Sequence, residues 1–205
     1  MNWLYNRFVV LGVFVIGMSL IPLNDALMKQ LSDSISVFEF LVMRGGFMLM
    51  GALCIPMTYI ALQEVGWLGL LQVFLRGTLL VLTLTLLFLS VSMVKLATAY
   101  AVFFTAPMII SLAAVPLLGE RLSAARIIAV ALGLIGAIVH TKPWTGELSP
   151  WLGLAVLAAF VYASYQLVTR MLPQQVKVGA AVVGSQLAIL FWGALISWSI
   201  WQFGW

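Results

Sequence analysis

Between Ala97 and Leu118 the chain runs 22 residues without a charged side chain. At a rise of about 1.5 Å per residue, a helix of that length crosses the ~30 Å hydrocarbon core of a bilayer. The break Gly119-Glu120-Arg121-Leu122-Ser123 comes next. A second apolar run then extends from Ala124 to His140, with Arg126 near its start. A chain that goes in, turns on a Glu-Arg pair and comes back is a transmembrane helical hairpin.

The rest of the sequence suits the same solvent. Hydrophobic residues make up 64% of the chain, charged residues 8%, and the mean hydropathy is +1.16. A soluble domain has about 25% charged residues, so this chain has too little polar surface for water and lipid must cover it. The net charge of +4 is not a nucleic-acid signal, because the ten Lys and Arg are spread singly along membrane edges. The one cysteine, Cys54, lies in an apolar run and has no partner for an internal disulfide. One Cys and one His make no Cys/His metal site, and no metal or cofactor is expected. The N-terminal run Phe8–Leu23 comes after Arg7 as in a signal peptide. Pro22-Leu23-Asn24-Asp25 replaces a small-x-small cleavage pattern, which reads as a retained first span.

Seven spans are expected in an all-α integral membrane protein. They are about Phe8–Leu31, Val37–Leu62, Gly77–Val94 (with Gly66–Leu75 as an interfacial lead-in divided off by Arg76), Ala97–Leu118, Ala124–His140, Trp151–Met171 and Val178–Trp201. With the N-terminus cytoplasmic, six basic residues fall inside (Arg7, Arg76, Arg121, Arg126, Arg170, Lys177) and three outside (Lys29, Lys95, Lys142). That bias favours this orientation in an inner membrane. Tryptophans cluster at the span ends as an aromatic belt, and only Trp192 falls within a span.

The segment Thr141–Pro150, TKPWTGELSP, is the one linker-like stretch. The chain beyond it echoes the chain before it. A shift of 141 positions lays Leu11-Gly12 on Leu152-Gly153, Val15 on Val156, and Lys29 on Arg170. One insertion then lays Gly51-Ala52-Leu53 on Gly193-Ala194-Leu195. The division is residues 1–140 as a five-span unit, 141–150 as an outer linker, and 151–205 as the first two spans of a second unit. An odd number of spans per unit inverts the second copy, the architecture of many secondary transporters.

These features resemble a known family. Asn24-Asp25…Lys29 closes the first span, Arg44 sits in the second and Pro107 in the fourth. LLGERLS at 117–123 precedes the Gly-rich ALGLIGAIV at 131–139. Trp151, Gly153, Tyr162, Ala163 and Arg170 come after the linker. The pattern is similar to that of the EamA-type drug/metabolite transporters over essentially the whole chain. The resemblance implies ten spans in two inverted units of five, so about three last spans are expected to be missing here. It also implies a gradient-driven permease moving a small organic metabolite or drug-like solute by alternating access.

Candidate solute contacts are Asn24, Asp25, Lys29, Arg44, Tyr100, Tyr162 and Gln166. Asp25 and Lys29 stand in the favourable i,i+4 order. They either meet a charged solute at a cavity mouth or form an interfacial pair with Lys29 snorkelling to headgroups. Arg44 costs about 2.5–3.5 kcal/mol to insert and should face a partner such as Asp25 or a wet cavity. Tyr100, Phe103, Phe104 and Thr105, with Tyr162, Tyr165 and Gln166, either line an aromatic wall or simply pack. Gly133, Gly136 and Ala137 form a small-residue face for helix packing or a homodimer. Gly119, Glu120 and Arg121 form the family-signature turn, which at the membrane surface fixes topology rather than touching solute. No P-loop, Ser/His/Asp set or HExxH motif occurs, so the chain reads as no enzyme. The competing reading is a truncated, non-transporting membrane interaction protein that only packs or dimerises.

Overall fold

The computed structural model describes residues 7–31, 34–119, 124–141, 149–172 and 176–203. Among these, nine helices succeed one another: α1 (Arg7–Leu31), α2 (Val37–Leu53), α3 (Pro56–Glu64), α4 (Trp67–Met93), α5 (Leu96–Phe103), α6 (Ala106–Leu118), α7 (Ala124–Thr141), α8 (Leu152–Met171) and α9 (Val178–Phe203). The chain is an all-α membrane protein.

Four segments are long and apolar enough to cross a bilayer: α4, α5 with α6 as one span, α8 and most of α9. A fifth is the pair α2 and α3 taken together, which bends by 93°. The expected count of seven is therefore not reached among the described residues. The helices α1 and α7 stand where the first and fifth spans are expected but fall outside this set. Two further boundaries differ. The third span is not split at Arg76: α4 runs unbroken through it for 27 residues. The second and fourth are broken, each one residue ahead of a proline-containing helix start, at Ile55-Pro56 and around Thr105-Ala106-Pro107. Proline suits a first helical turn, where its missing N–H has no intrahelical partner to lose.

Helix α4 is the centre of the molecule. It packs along α8 and α9, and α9 in turn lies on α2. Its buried residues include Val73, Arg76, Gly77, Val81, Thr83, Leu87, Phe88, Ser90 and Val91. Without water as a competitor, helices in lipid gain from close packing, which small residues permit. A Cβ on Gly77 would stand 2.7 Å from the Ala188 Cβ and 2.9 Å from the Ser185 Cα, and one on Gly184 would overlap Val73. Backbone meets backbone along this seam. The α2–α9 contact is similar: a Cβ on Gly45 would meet Ile189 at 2.9 Å and one on Gly193 would meet Val42 at 2.8 Å. Residue numbers rise on α2 as they fall on α9, so the two helices are antiparallel. Phe40 and Phe88 meet edge to face at 5.6 Å beside this seam.

Helix ends are closed by local chemistry. Ser36 and Glu39 form a capping box at the start of α2, with Glu39 N–H donating to Ser36 Oγ at 3.2 Å and Ser36 N–H to Glu39 Oε2 at 2.9 Å. Gly119 ends α6 with φ 67°, a left-handed position that costs glycine nothing. Lys29 Nζ donates to the carbonyls of Val91 (2.5 Å), Ser92 (3.0 Å) and Val94 (3.2 Å). A cation there satisfies the last carbonyls of α4 and complements its dipole. Ser90 Oγ donates to the Trp151 carbonyl at 3.0 Å and pins the same end of α4 to the start of α8.

Candidate functional site

A cavity of about 950 Å³ lies between α1, α2, α3 and α9. Residues from both arms of the bent α2–α3 pair line it. Phe47, Met48, Ile55, Val178 and Val182 supply apolar walls, and Asn24 and Arg44 bring polar atoms to it. Asn24 Oδ1 and Arg44 Nη1 are buried without a hydrogen-bond partner among the described residues. A buried donor and acceptor left unmade each cost about 1–3 kcal/mol. An apolar cavity of this size lined by an amide and a guanidinium side chain fits a small-molecule site.

Behind the cavity, Arg44 lies within electrostatic reach of Asp25 and Tyr100. Asp25 is 4% exposed and accepts a hydrogen bond from the Tyr100 hydroxyl. The three groups come from α1, α2 and α5, and Asp25 balances a charge that lipid would otherwise expel. At the mouth, Lys177 just before α9 pairs with Glu64 at the end of α3, at 2.5 Å.

From Tyr100 a row of rings crosses the molecule. Tyr100 packs on Phe103 (6.1 Å between centroids) and Phe104 (5.9 Å), Phe103 on Tyr162 (5.3 Å), and Tyr162 stacks on Tyr165 (5.8 Å). Gln166 donates to the Tyr162 hydroxyl at 2.9 Å. The row ends where the Arg76 guanidinium sits 4.5 Å from the Tyr165 centroid. The residues expected to form an aromatic wall do come together, but Tyr100, Tyr162 and Gln166 are not among those that line the 950 Å³ cavity. Nor is Lys29, which is engaged at the end of α4. Asn24 and Arg44 alone of the expected contacts line it directly, and Asp25 stands behind Arg44.

For the small-residue face, a Cβ on Gly133 or Gly136 would meet nothing within 4 Å among the described residues, so neither glycine serves a close helix contact there. The side chain of Ala137, and Glu120 and Arg121 of the signature turn, lie outside the described residues, while Gly119 is the α6 cap.

Arg76 is the residue whose surroundings sequence reasoning does not supply. Its position along the chain suggests a basic group at the membrane edge, and the structure buries it, 9% exposed, between α4, α8 and α9. The signal is present in the chain. A single charge inside an otherwise apolar 27-residue run is expensive unless satisfied, and Tyr165, Thr169 and Ser185 are the polar residues in α8 and α9 that satisfy it.

Known proteins share this chain's sequence in part. A model of the EamA-like transporter family matches residues 8–141. The S-adenosylmethionine uptake transporter of Rickettsia prowazekii (strain Madrid E) is 24% identical over 185 residues, covering 90% of this chain and 60% of that protein. The riboflavin transporter of Vibrio cholerae serotype O1 (strain ATCC 39315 / El Tor Inaba N16961) is 31% identical over 140 residues, covering 68% of this chain and 46% of that protein. The S-adenosylmethionine uptake transporter of Rickettsia felis (strain ATCC VR-1525 / URRWXCal2) is 24% identical over 190 residues, covering 91% and 60%. The chain thus spans between 46% and 60% of the length of these relatives. No solved structure matches it. The family match takes in α1 to α7, including Asn24, Asp25, Arg44 and Tyr100, and so the chain is a multi-pass membrane protein that belongs to the EamA-like transporter family.

Proposed function

We propose that the chain works as a secondary-active permease for a small organic metabolite or drug-like solute, in a cell's inner membrane with its N-terminus cytoplasmic. The cavity carries this reading: an apolar chamber of about 950 Å³ lined by Asn24 and Arg44, each with one buried polar atom that has no hydrogen-bond partner among the described residues. Arg44 would take an anionic or strongly polar oxygen of the solute, and Asn24 Oδ1 would take a donor. Phe47, Met48 and Ile55 would cover an apolar or heteroaromatic body. The relatives named for S-adenosylmethionine and riboflavin make heteroaromatic solutes with a polar tail the first to try.

The transport cycle we infer is alternating access between inverted repeats, residues 1–140 and 151–205 contributing to each side of the linker 141–150. The antiparallel packing of α2 on α9 supports it, since these are corresponding helices in the two units. Gly133, Gly136 and Ala137 on α7 are the proposed homodimer contact. The open space over both glycines supports that.

The test is uptake of labelled S-adenosylmethionine, riboflavin and a panel of amino acids and nucleosides by proteoliposomes holding the chain. Saturable uptake that Arg44→Leu removes is the expected result. A folded, inserted protein with no flux across the panel would instead favour the membrane interaction protein that packs without transporting.

A further inference from the structure

A second cationic site lies away from the Arg44 cavity. Arg76 projects from α4 into the junction of α4, α8 and α9. Its Nε donates to Thr169 Oγ1 at 2.7 Å. Its Nη1 donates to the Ala181 carbonyl at 3.1 Å and to Ser185 Oγ at 2.7 Å. Its Nη2 donates to the Tyr165 hydroxyl. The two aliphatic hydroxyls are oriented for this task. Thr169 Oγ1 donates back to the Tyr165 carbonyl and Ser185 Oγ to the Ala181 carbonyl, at 2.6 and 2.8 Å, which leaves their lone pairs for the guanidinium.

All of these partners are neutral. The described carboxylates are engaged elsewhere: Asp25 with Tyr100, Glu39 with Ser36, Glu64 with Lys177. Four hydrogen bonds hold Arg76 in place but leave its positive charge without a counter-ion among the described residues, in a medium where charge is costly. A guanidinium has five N–H donors, and these bonds use four. Arg76 also lines a groove of about 440 Å³ between α4 and α8, together with Gln72, Leu75, Thr78, Val168 and Leu172. The groove is mostly apolar, and Gln72 stands one helical turn from Arg76 at its edge.

We infer that this groove binds an oxyanion, a phosphate or carboxylate group whose charge Arg76 neutralises and whose attached apolar portion lies along Leu75, Val168 and Leu172. A positioned, planar cation with a free donor beside an apolar trough matches such a group in charge and shape. The same chemistry is offered by the headgroup of an anionic lipid and by a soluble organic anion. The site is independent of the solute cavity, which has its own arginine and its own walls.

The experiment uses the purified chain in a neutral detergent. Thermal unfolding is measured with inorganic phosphate against chloride at equal ionic strength, and with phosphatidylglycerol against phosphatidylcholine. Retained lipid is counted by native mass spectrometry. The expected result is a midpoint raised by phosphate, by phosphatidylglycerol or by both. A response to the lipid alone identifies a headgroup, and a response to phosphate alone identifies a soluble anion. Arg76→Gln should remove the response. Gln72→Glu supplies an internal carboxylate at the favourable i,i+4 spacing and should weaken anion binding about tenfold or more. That second variant decides the question even where Arg76→Gln does not fold. Equal midpoints with and without either anion, or an unchanged response in Gln72→Glu, would overturn the site. Because the readout is binding rather than flux, failure here leaves the Arg44 cavity standing, and the reverse.

Discussion

The Tyr100 hydroxyl donates a hydrogen bond to the Asp25 carboxylate and joins α5 to α1 across 75 positions of sequence. Asp25 is 4% exposed, and Arg44 lies within electrostatic reach of both groups. A phenol and a guanidinium from two other helices thus hold one carboxylate inside the bundle.

Removing the phenol should be costly for that reason. Tyr100→Phe leaves a buried carboxylate short of a donor, at about 1–3 kcal/mol. Asp25→Asn added to it should recover part of the loss, because a neutral amide is cheaper to bury than an ion. Denaturant unfolding in detergent reads both. A Tyr100→Phe protein as stable as wild type would mean that Asp25 does not depend on this bond.

Arg44 lines the cavity and should govern solute binding as well as contribute to stability through Asp25. Hydrogen bonds to a charged group contribute about 1.5–3 kcal/mol, so Arg44→Leu should weaken solute binding roughly 10- to 100-fold. Arg44→Lys should retain part of it. Lys95→Ala, at the exposed start of α5, is the control and should bind solute as wild type does. Isothermal titration with the transported solute compares the three.

Packing at the α4–α9 seam predicts a contrast between glycines. Gly184→Val drives a branched side chain into Val73, and overpacking of this kind costs about 1–3 kcal/mol or more. Gly133→Leu meets open space and should leave the unfolding midpoint of the single chain unchanged. If Gly133→Leu alters the elution volume without altering the midpoint, α7 is a contact between copies.

The Glu64–Lys177 pair at the cavity mouth is about half exposed on both sides, 48% and 51%. An exposed pair is worth only about 0.2–1 kcal/mol. Lys177→Ala should therefore hardly alter stability, while solute exchange becomes faster and less sensitive to salt. The charge-swapped double variant Glu64→Lys with Lys177→Glu should restore the wild-type rate. Stopped-flow release at low and high ionic strength measures it.

Much of this arrangement is legible without the fold. Long uncharged runs set the helical membrane class, and the isolated charge of Arg44 announces an inward-facing group with Asp25 as its candidate partner. What the sequence hides is three-dimensional. Nothing local reveals that Arg76 is buried against α8 and α9, because its side-chain acceptors lie 89 to 109 positions away. The contacts of Lys29 with the carbonyls at the C-terminal end of α4 are hidden too, because carbonyls carry no residue signature. The α2–α3 elbow escapes a sequence reading because Pro56 suits a tolerated kink equally well. The Gly-rich fifth span stands out as a packing face, whereas the close contacts fall to Gly77 and Gly184, which no glycine cluster marks.

The seam at Gly77 and Gly184 has a mechanical meaning. At Gly77 only the Ala188 methyl and the backbone of residues 184 and 185 stand against α4, so α4 and α9 have little compliant layer along which to slide there, and the pair behaves as a stiff keel. The nine residues of α3 are fastened to the same keel, since a Cβ on Gly179 would stand 3.1 Å from the Thr58 Cα and 3.2 Å from the Ala61 Cβ.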